Sequence, residues 1–179
     1  MPIIFIGYRG SGKTAVGACV ADRLGWRFVD ADVEIERRAG RTIREIFAEQ
    51  DESHFRDIER QVLAELLSES DLVIAAGGGA ILSAETRERL KCAGPVIYLK
   101  VSPGVAEQRI ASDATTSERR PALTDLPRRA EIETTMAARA PLYAECATIT
   151  LDAAEMSISD LADELTRLLP AEWRREAPT

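Results

Sequence analysis

Apolar residues arrive in short uninterrupted runs, separated by longer stretches in which they recur every fourth position. The runs Ile3-Ile4-Phe5-Ile6, Arg27-Phe28-Val29, Leu72-Val73-Ile74-Ala75, Val96-Ile97-Tyr98-Leu99 and Thr148-Ile149-Thr150-Leu151 have the length and the β-branched and aromatic content of strands. Between them, Val16, Val20 and Leu24 share one helical face, as do Ile58, Val62 and Leu66, and later Leu161, Leu165 and Leu169. Strands alternating with helices predict an α/β three-layer sandwich around a five-stranded, parallel sheet.

Helix boundaries are written locally. Thr42-x-x-Glu45 is a capping box, and Ser102-Pro103 places a cap before a first-turn proline. Residues 112–127, SDATTSERRPALTDLP, have no sustained period, two prolines and an Arg-Arg pair, which predicts a surface loop of the length that serves as a lid. The pattern is lost after Leu169, so a single domain over residues 1–170 is expected, followed by a fraying tail at 171–179. No internal repeat is present.

Composition narrows the function. With 179 residues, 45% of them hydrophobic, the chain can bury the core of one domain. A net charge of -7 opposes binding to nucleic acid or an anionic membrane surface. No apolar run approaches the roughly 18 residues that span a bilayer, and the apolar N-terminus leads straight into a glycine motif, so a cytoplasmic location is expected. Cys19, Cys92 and Cys146 are too few and scattered for a disulfide framework or zinc site and read as reduced core thiols. Of 23 basic residues only Lys13, Lys91 and Lys100 are lysines, which singles out Lys13.

Lys13 lies in Gly7-Tyr8-Arg9-Gly10-Ser11-Gly12-Lys13-Thr14, a Walker A pattern directly after a strand and before a helix. There the backbone through Gly10, Ser11, Gly12, Lys13, Thr14 and Ala15 is expected to cradle the phosphates of ATP. Lys13 would bridge β- and γ-oxygens, and Thr14 would hold Mg²⁺ through its hydroxyl. Nucleotide switches and motors share this loop, so the acceptor site must decide between them.

Three further features bear on the acceptor. Strand two ends in Phe28-Val29-Asp30-Ala31-Asp32, where alternation would point both carboxylates at the crevice beyond the strand ends; Asp-x-Asp before a helix is equally an N-cap pair. Arg56 and Arg139 stand on helices, where most arginines are solvated, and Arg56 has Glu59 one turn on. Gly77-Gly78-Gly79 follows the third strand and admits close approach of a ligand.

Taken together, GYRGSGKT, FVDADVEIE, HFRDIE, AAGGG, RRPAL and RAPLY, in this order and across nearly the whole chain, resemble the shikimate kinase family, of the nucleoside-monophosphate-kinase-like P-loop fold. The resemblance implies Mg²⁺- and ATP-dependent phosphorylation of the 3-hydroxyl of shikimate. It implies that Asp32, Arg56, Gly78 and Arg139 contact shikimate, with the arginines on its carboxylate and Asp32 on the reacting hydroxyl. It further implies Asp30 in the outer shell of the metal, Glu59 orienting Arg56, and Arg120 of the lid closing over the transferred phosphate beside Lys13. The chain departs from the family pattern in reading Arg-Pro-Ala-Leu in the lid, and Leu151-Asp152-Ala153-Ala154 lacks an arginine that some members place near the adenine. Arg109 is a candidate to stack on that ring. Another small-metabolite kinase, for gluconate or a nucleoside monophosphate, is the nearest alternative, and a non-catalytic nucleotide-binding module the next. A monomer is expected, since the core uses up the apolar stripes.

Overall fold

The computed structural model describes residues 1–49, 52–112, 127–170 and Trp173. Its strands are β1 (Ile3–Ile6), β2 (Arg27–Asp30), β3 (Leu72–Ala75), β4 (Val96–Lys100) and β5 (Ile149–Asp152). The first helices are α1 (Lys13–Leu24), α2 (Ala31–Ala39), α3 (Ile43–Glu49) and α4 (Glu52–Leu66). After a 3₁₀ turn at Ala80–Leu82 come α5 (Ala84–Ala93), α6 (Pro103–Ser112), α7 (Arg128–Cys146) and α8 (Ile158–Leu168).

All strand pairings are parallel, in the order β2-β3-β1-β4-β5. The apolar runs are continuous because both sheet faces are covered and successive side chains enter opposite layers. Ile4 and Ile6 of β1, Leu72 and Ile74 of β3, and Val96 and Tyr98 of β4 pack in one layer with α2, α3, α4 and α5. Ile3, Phe5, Val73, Ile97 and Leu99 pack in the other with α1, α6 and α8. The long α7 serves both layers: Ile132 near its start joins the second, and Tyr143 and Cys146 near its end join the first. It therefore passes across the ends of the layers, beside the loops that leave the strands.

Both sequence-read caps form. The Thr42 N–H donates to Glu45 Oε2 at 2.7 Å and the Glu45 N–H to Thr42 Oγ1 at 3.2 Å, while the Val105 N–H donates to Ser102 Oγ at 3.3 Å. Other expectations are corrected. Asp32 does not end a strand: β2 stops at Asp30, which caps α2, and Asp32 lies in the first helical turn. Strand five runs one residue later than read, and Leu169 is the cap of α8 rather than part of it, although it is buried. Cys146 is a buried thiol, but Cys19 is half-buried and Cys92 is exposed, because α5 presents that face to solvent. Trp173 packs its ring 5.5 Å from that of Trp26. Most of the expected lid, including Arg120, lies outside the described residues.

Candidate active site

Between β1 and α1 the chain turns through Gly7 to Gly12. Gly12 begins α1 at φ 93°, a left-handed conformation that disfavours any side chain, and no side-chain cap occupies the helix start. First-turn N–H groups and the helix dipole then face the same point, an anion site built from backbone. Lys13 folds over this turn, donating from Nζ to the carbonyls of Gly7 at 2.9 Å and Tyr8 at 3.1 Å. Ser11 is buried under the loop, while Thr14 and Ala15 are exposed at the start of α1. Arg109 of α6 reaches the other side of the loop and donates to the Gly10 carbonyl at 3.4 Å and to that of Ala153, just past β5, at 2.8 Å. Arg109 thus sits beside the phosphate loop, engaged with two carbonyls.

The Thr14 hydroxyl donates to Asp30 Oδ2 at 2.7 Å, and Asp30 Oδ1 accepts from the Asp32 N–H at 3.0 Å. Asp30 therefore caps α2 and at the same time accepts from the threonine of the phosphate loop. Asp32, one residue into α2, turns instead toward Gly77, where an added Cβ would lie 2.8 Å from both Asp32 Oδ1 and Glu59 Oε1. A side chain there would have to displace both carboxylates, which close on the backbone from two sides.

Next to the phosphate loop lies a cavity of about 210 Å³. Asp32, Arg56, Gly78 and Arg139, separated by up to 107 positions in sequence (139 − 32), all line it. The first comes from α2, the second from α4, the third from the loop after β3 and the last from α7. Phe47 and Phe55, with ring centroids 4.9 Å apart, form an apolar wall, and the Arg56 guanidinium carbon lies 5.1 Å from the Phe55 ring.

Arg56 is held from two directions on its own helix. Its Nη1 donates to Glu59 at 2.8 Å, and Nε and Nη2 donate to Glu52 Oε1 at 3.3 and 2.8 Å. Burial pushes the Glu59 carboxyl above the ordinary carboxylate range, with the Arg56 guanidinium pulling against it. Burial also works against the charge of Arg56, but Glu59 and Glu52 outweigh it and hold the guanidinium more firmly protonated. A Cβ on Gly79 would collide with this guanidinium.

Arg139 and Tyr143, one turn apart on α7, converge on one atom: Arg139 Nη1 donates to the Gly78 carbonyl at 3.1 Å and the Tyr143 hydroxyl donates to it at 2.7 Å. Burial raises the Tyr143 phenol well above its usual value, so it remains a donor. Its ring stacks on Tyr98 with centroids 5.0 Å apart. These contacts fix the glycine loop against the helix that carries the second arginine.

Arg9, Glu52, Phe47 and Tyr143 were not singled out by sequence reasoning, although all but Tyr143 line the cavity. Arg9 stands at a position the Walker pattern leaves open, and Tyr143 had a signal in its four-residue spacing from Arg139.

Comparison with known proteins gives the family. The family model described as shikimate kinase matches residues 9–170. A shikimate kinase of Thermobifida fusca is 41% identical over 168 residues, covering 94% of this chain and 94% of the relative. One of Burkholderia thailandensis is 43% identical over 162 residues, covering 90% of this chain and 85% of the relative. Among solved structures, shikimate kinase from Acinetobacter baumannii in complex with shikimate superposes with a TM-score of 0.87 at 40% identity, covering 93% of this chain and 91% of that one. A gluconokinase of Sinorhizobium meliloti reaches a TM-score of only 0.54 at 15% identity, a likeness of fold alone. The family model's match over residues 9–170, together with relatives 41% and 43% identical over nearly the whole chain, shows that this chain belongs to the shikimate kinase family.

Proposed function

We propose that the chain transfers the γ-phosphoryl group of ATP to the 3-hydroxyl of shikimate, with the cavity beside the phosphate loop as the acceptor site. The observation that carries this reading is the convergence of Arg56, Arg139 and Asp32 on one cavity abutting Gly7 to Thr14. Two planar guanidinium groups suit a carboxylate, and an apolar wall of Phe47 and Phe55 suits a carbocyclic ring. The relative whose solved structure is in complex with shikimate supports the choice of acceptor.

In the reaction the 3-hydroxyl oxygen forms a bond to the γ-phosphorus as the bond to the β,γ-bridging oxygen breaks, and ADP leaves. Such transfers are loose, so positioning and charge contribute most of the acceleration. Arg56 and Arg139 orient the acceptor through its carboxylate. Asp32 accepts a hydrogen bond from the attacking hydroxyl and takes its proton late. Lys13 and the backbone N–H groups of residues 10–15 stabilise charge on the phosphates, and Arg109 borders the nucleotide end. Arg120 is assigned to the transferring phosphate by resemblance alone.

Mg²⁺ fits the residues present. Thr14 and Asp30 bring two hard oxygen donors within 2.7 Å of each other beside the phosphate loop, and Mg²⁺ takes few protein ligands, completing its shell with water and phosphate oxygens. Thr14 would hold the ion directly and Asp30 through its water; the ion would neutralise phosphate charge.

We further assign residues 1–170 to one catalytic domain acting as a cytoplasmic monomer without nucleic acid or membrane partners. Net charge supports the last two points, and no helix among the described residues is long and apolar enough to cross a membrane. Titration with shikimate and with gluconate, on the wild type and on Arg139→Met, tests the site. Binding of shikimate that is lost in the variant is expected; equal binding of gluconate, or an unaffected variant, would refute the assignment.

A further inference from the structure

The acceptor cavity contains a third arginine, Arg9, whose backbone belongs to the phosphate loop. Its amide nitrogen lies 3.8 Å from the place a Cβ on Gly78 would occupy, so this residue joins the nucleotide loop to the acceptor loop. Its side chain is mostly buried, at 13% exposure, and ends on Glu131, which is 3% exposed. Arg9 Nη2 donates to Glu131 Oε1, and the guanidinium carbon stands 5.7 Å from the Tyr8 ring. Arg9 Nε is buried with no hydrogen-bond partner among the described residues, which leaves Glu131 as its compensating charge there.

Glu131 lies in the first turn of α7, next to Ile132 in the core layer of α1, whereas Arg139 lies two turns further along at the acceptor cavity. The same helix thus grips the phosphate loop through Glu131 and the glycine loop through Arg139 and Tyr143. A carboxylate buried this deeply costs stability unless paired. An acidic side chain in the first turn of a helix complements its dipole, but an exposed one would serve that purpose equally, and the mechanism above does not call for the burial.

We propose that Glu131 is a positioning residue for the acceptor, holding Arg9 at the junction of the phosphate loop and the cavity so that its guanidinium faces the bound anion. The inference rests on the assignment of the cavity to shikimate. Without Glu131 the guanidinium is free to swing toward other acids, and the cavity loses a fixed cation at its phosphate-loop wall.

The test compares Glu131→Gln, Arg9→Met and the double variant by steady-state kinetics with ATP and shikimate. Glu131→Gln is expected to raise the shikimate KM about tenfold, the size of one hydrogen bond to a charged group, and to change the ATP KM by less than about threefold. The double variant should be no worse than Arg9→Met, because Glu131 acts through Arg9. Glu131→Asp, which keeps the charge but shortens the reach, should give a smaller rise, and it carries the test if the glutamine variant fails to fold. An ATP KM that rises as much as the shikimate KM, or additive losses in the double variant, would overturn the proposal. So would an unchanged shikimate KM in Glu131→Gln alongside a raised one in Arg139→Met, leaving the cavity assignment intact. If Arg139→Met also left it unchanged, the cavity assignment would fall, and this inference with it.

Discussion

Glu59 holds Arg56 from one turn further along the same helix: Arg56 Nη1 donates to its buried carboxylate at 2.8 Å. Glu59 is buried at the cavity wall, and its place between Arg56 and Gly77 makes it the brace that aims the guanidinium into the cavity. Glu59→Gln keeps the shape and removes the charge. The shikimate KM is expected to rise about tenfold, with Arg56 drawn toward Glu52. Arg56→Lys should raise it as well, since a point cation cannot make the fork contact. Initial-rate kinetics at saturating ATP measure both, and an unchanged KM in either variant would contradict the role given to Arg56.

Asp32 is assigned to the reacting hydroxyl. Asp32→Asn should slow turnover by ~10² to 10⁴ while leaving ATP affinity largely intact, the range observed for groups that orient or accept a proton. Turnover measured by a coupled ADP assay within about threefold of wild type would remove Asp32 from the mechanism.

Gly77 is placed where two acids close on the backbone, with Asp32 Oδ1 and Glu59 Oε1 each 2.8 Å from an added Cβ. Gly77→Ala must push both of them aside. Loss of acceptor affinity with nucleotide binding retained is the expected outcome, read by titrating each ligand separately; equal losses for both ligands would point to a general disturbance instead.

Acid stability has a separate origin. Hydrogen bonds from Arg37 and Arg38 hold the Glu34 carboxyl down at about 2. A carboxyl whose folded value is depressed adds stability above its unfolded value and loses it as pH falls through the folded one. Glu34→Gln should therefore be less stable than wild type near neutrality, with the difference closing as pH falls from the ordinary carboxylate range toward about 2. Urea midpoints across that range measure the effect, and a pH-independent difference would contradict it.

The layers of the fold and the phosphate loop could be read from the chain because each is encoded locally. Uninterrupted runs such as Ile3–Ile6 and Leu72–Ala75 announce strands covered on both faces, and Gly7 to Thr14 announces its own turn. Asp32 was misplaced because residues 30–32 satisfy strand alternation and helix capping equally; the decision came from Asp30 capping the N–H of Asp32. The partners of the cavity arginines differ in kind. Glu59 was visible three positions from Arg56, whereas the pairing of Arg9 with Glu131 spans 122 positions and leaves no trace in spacing or period. Only the passage of α7 across both layers brings those two together. Cys92 illustrates the reverse limit, since a short apolar-looking stretch in α5 does not reveal which face meets solvent.

The central claim is acceptor identity, and the most direct measurement is ADP release by the purified chain with ATP and Mg²⁺ in the presence of shikimate, gluconate, AMP or no acceptor. ADP is expected with shikimate alone, accompanied by stoichiometric shikimate 3-phosphate. ADP formed with gluconate or AMP instead, or with none of the mixtures, would contradict it.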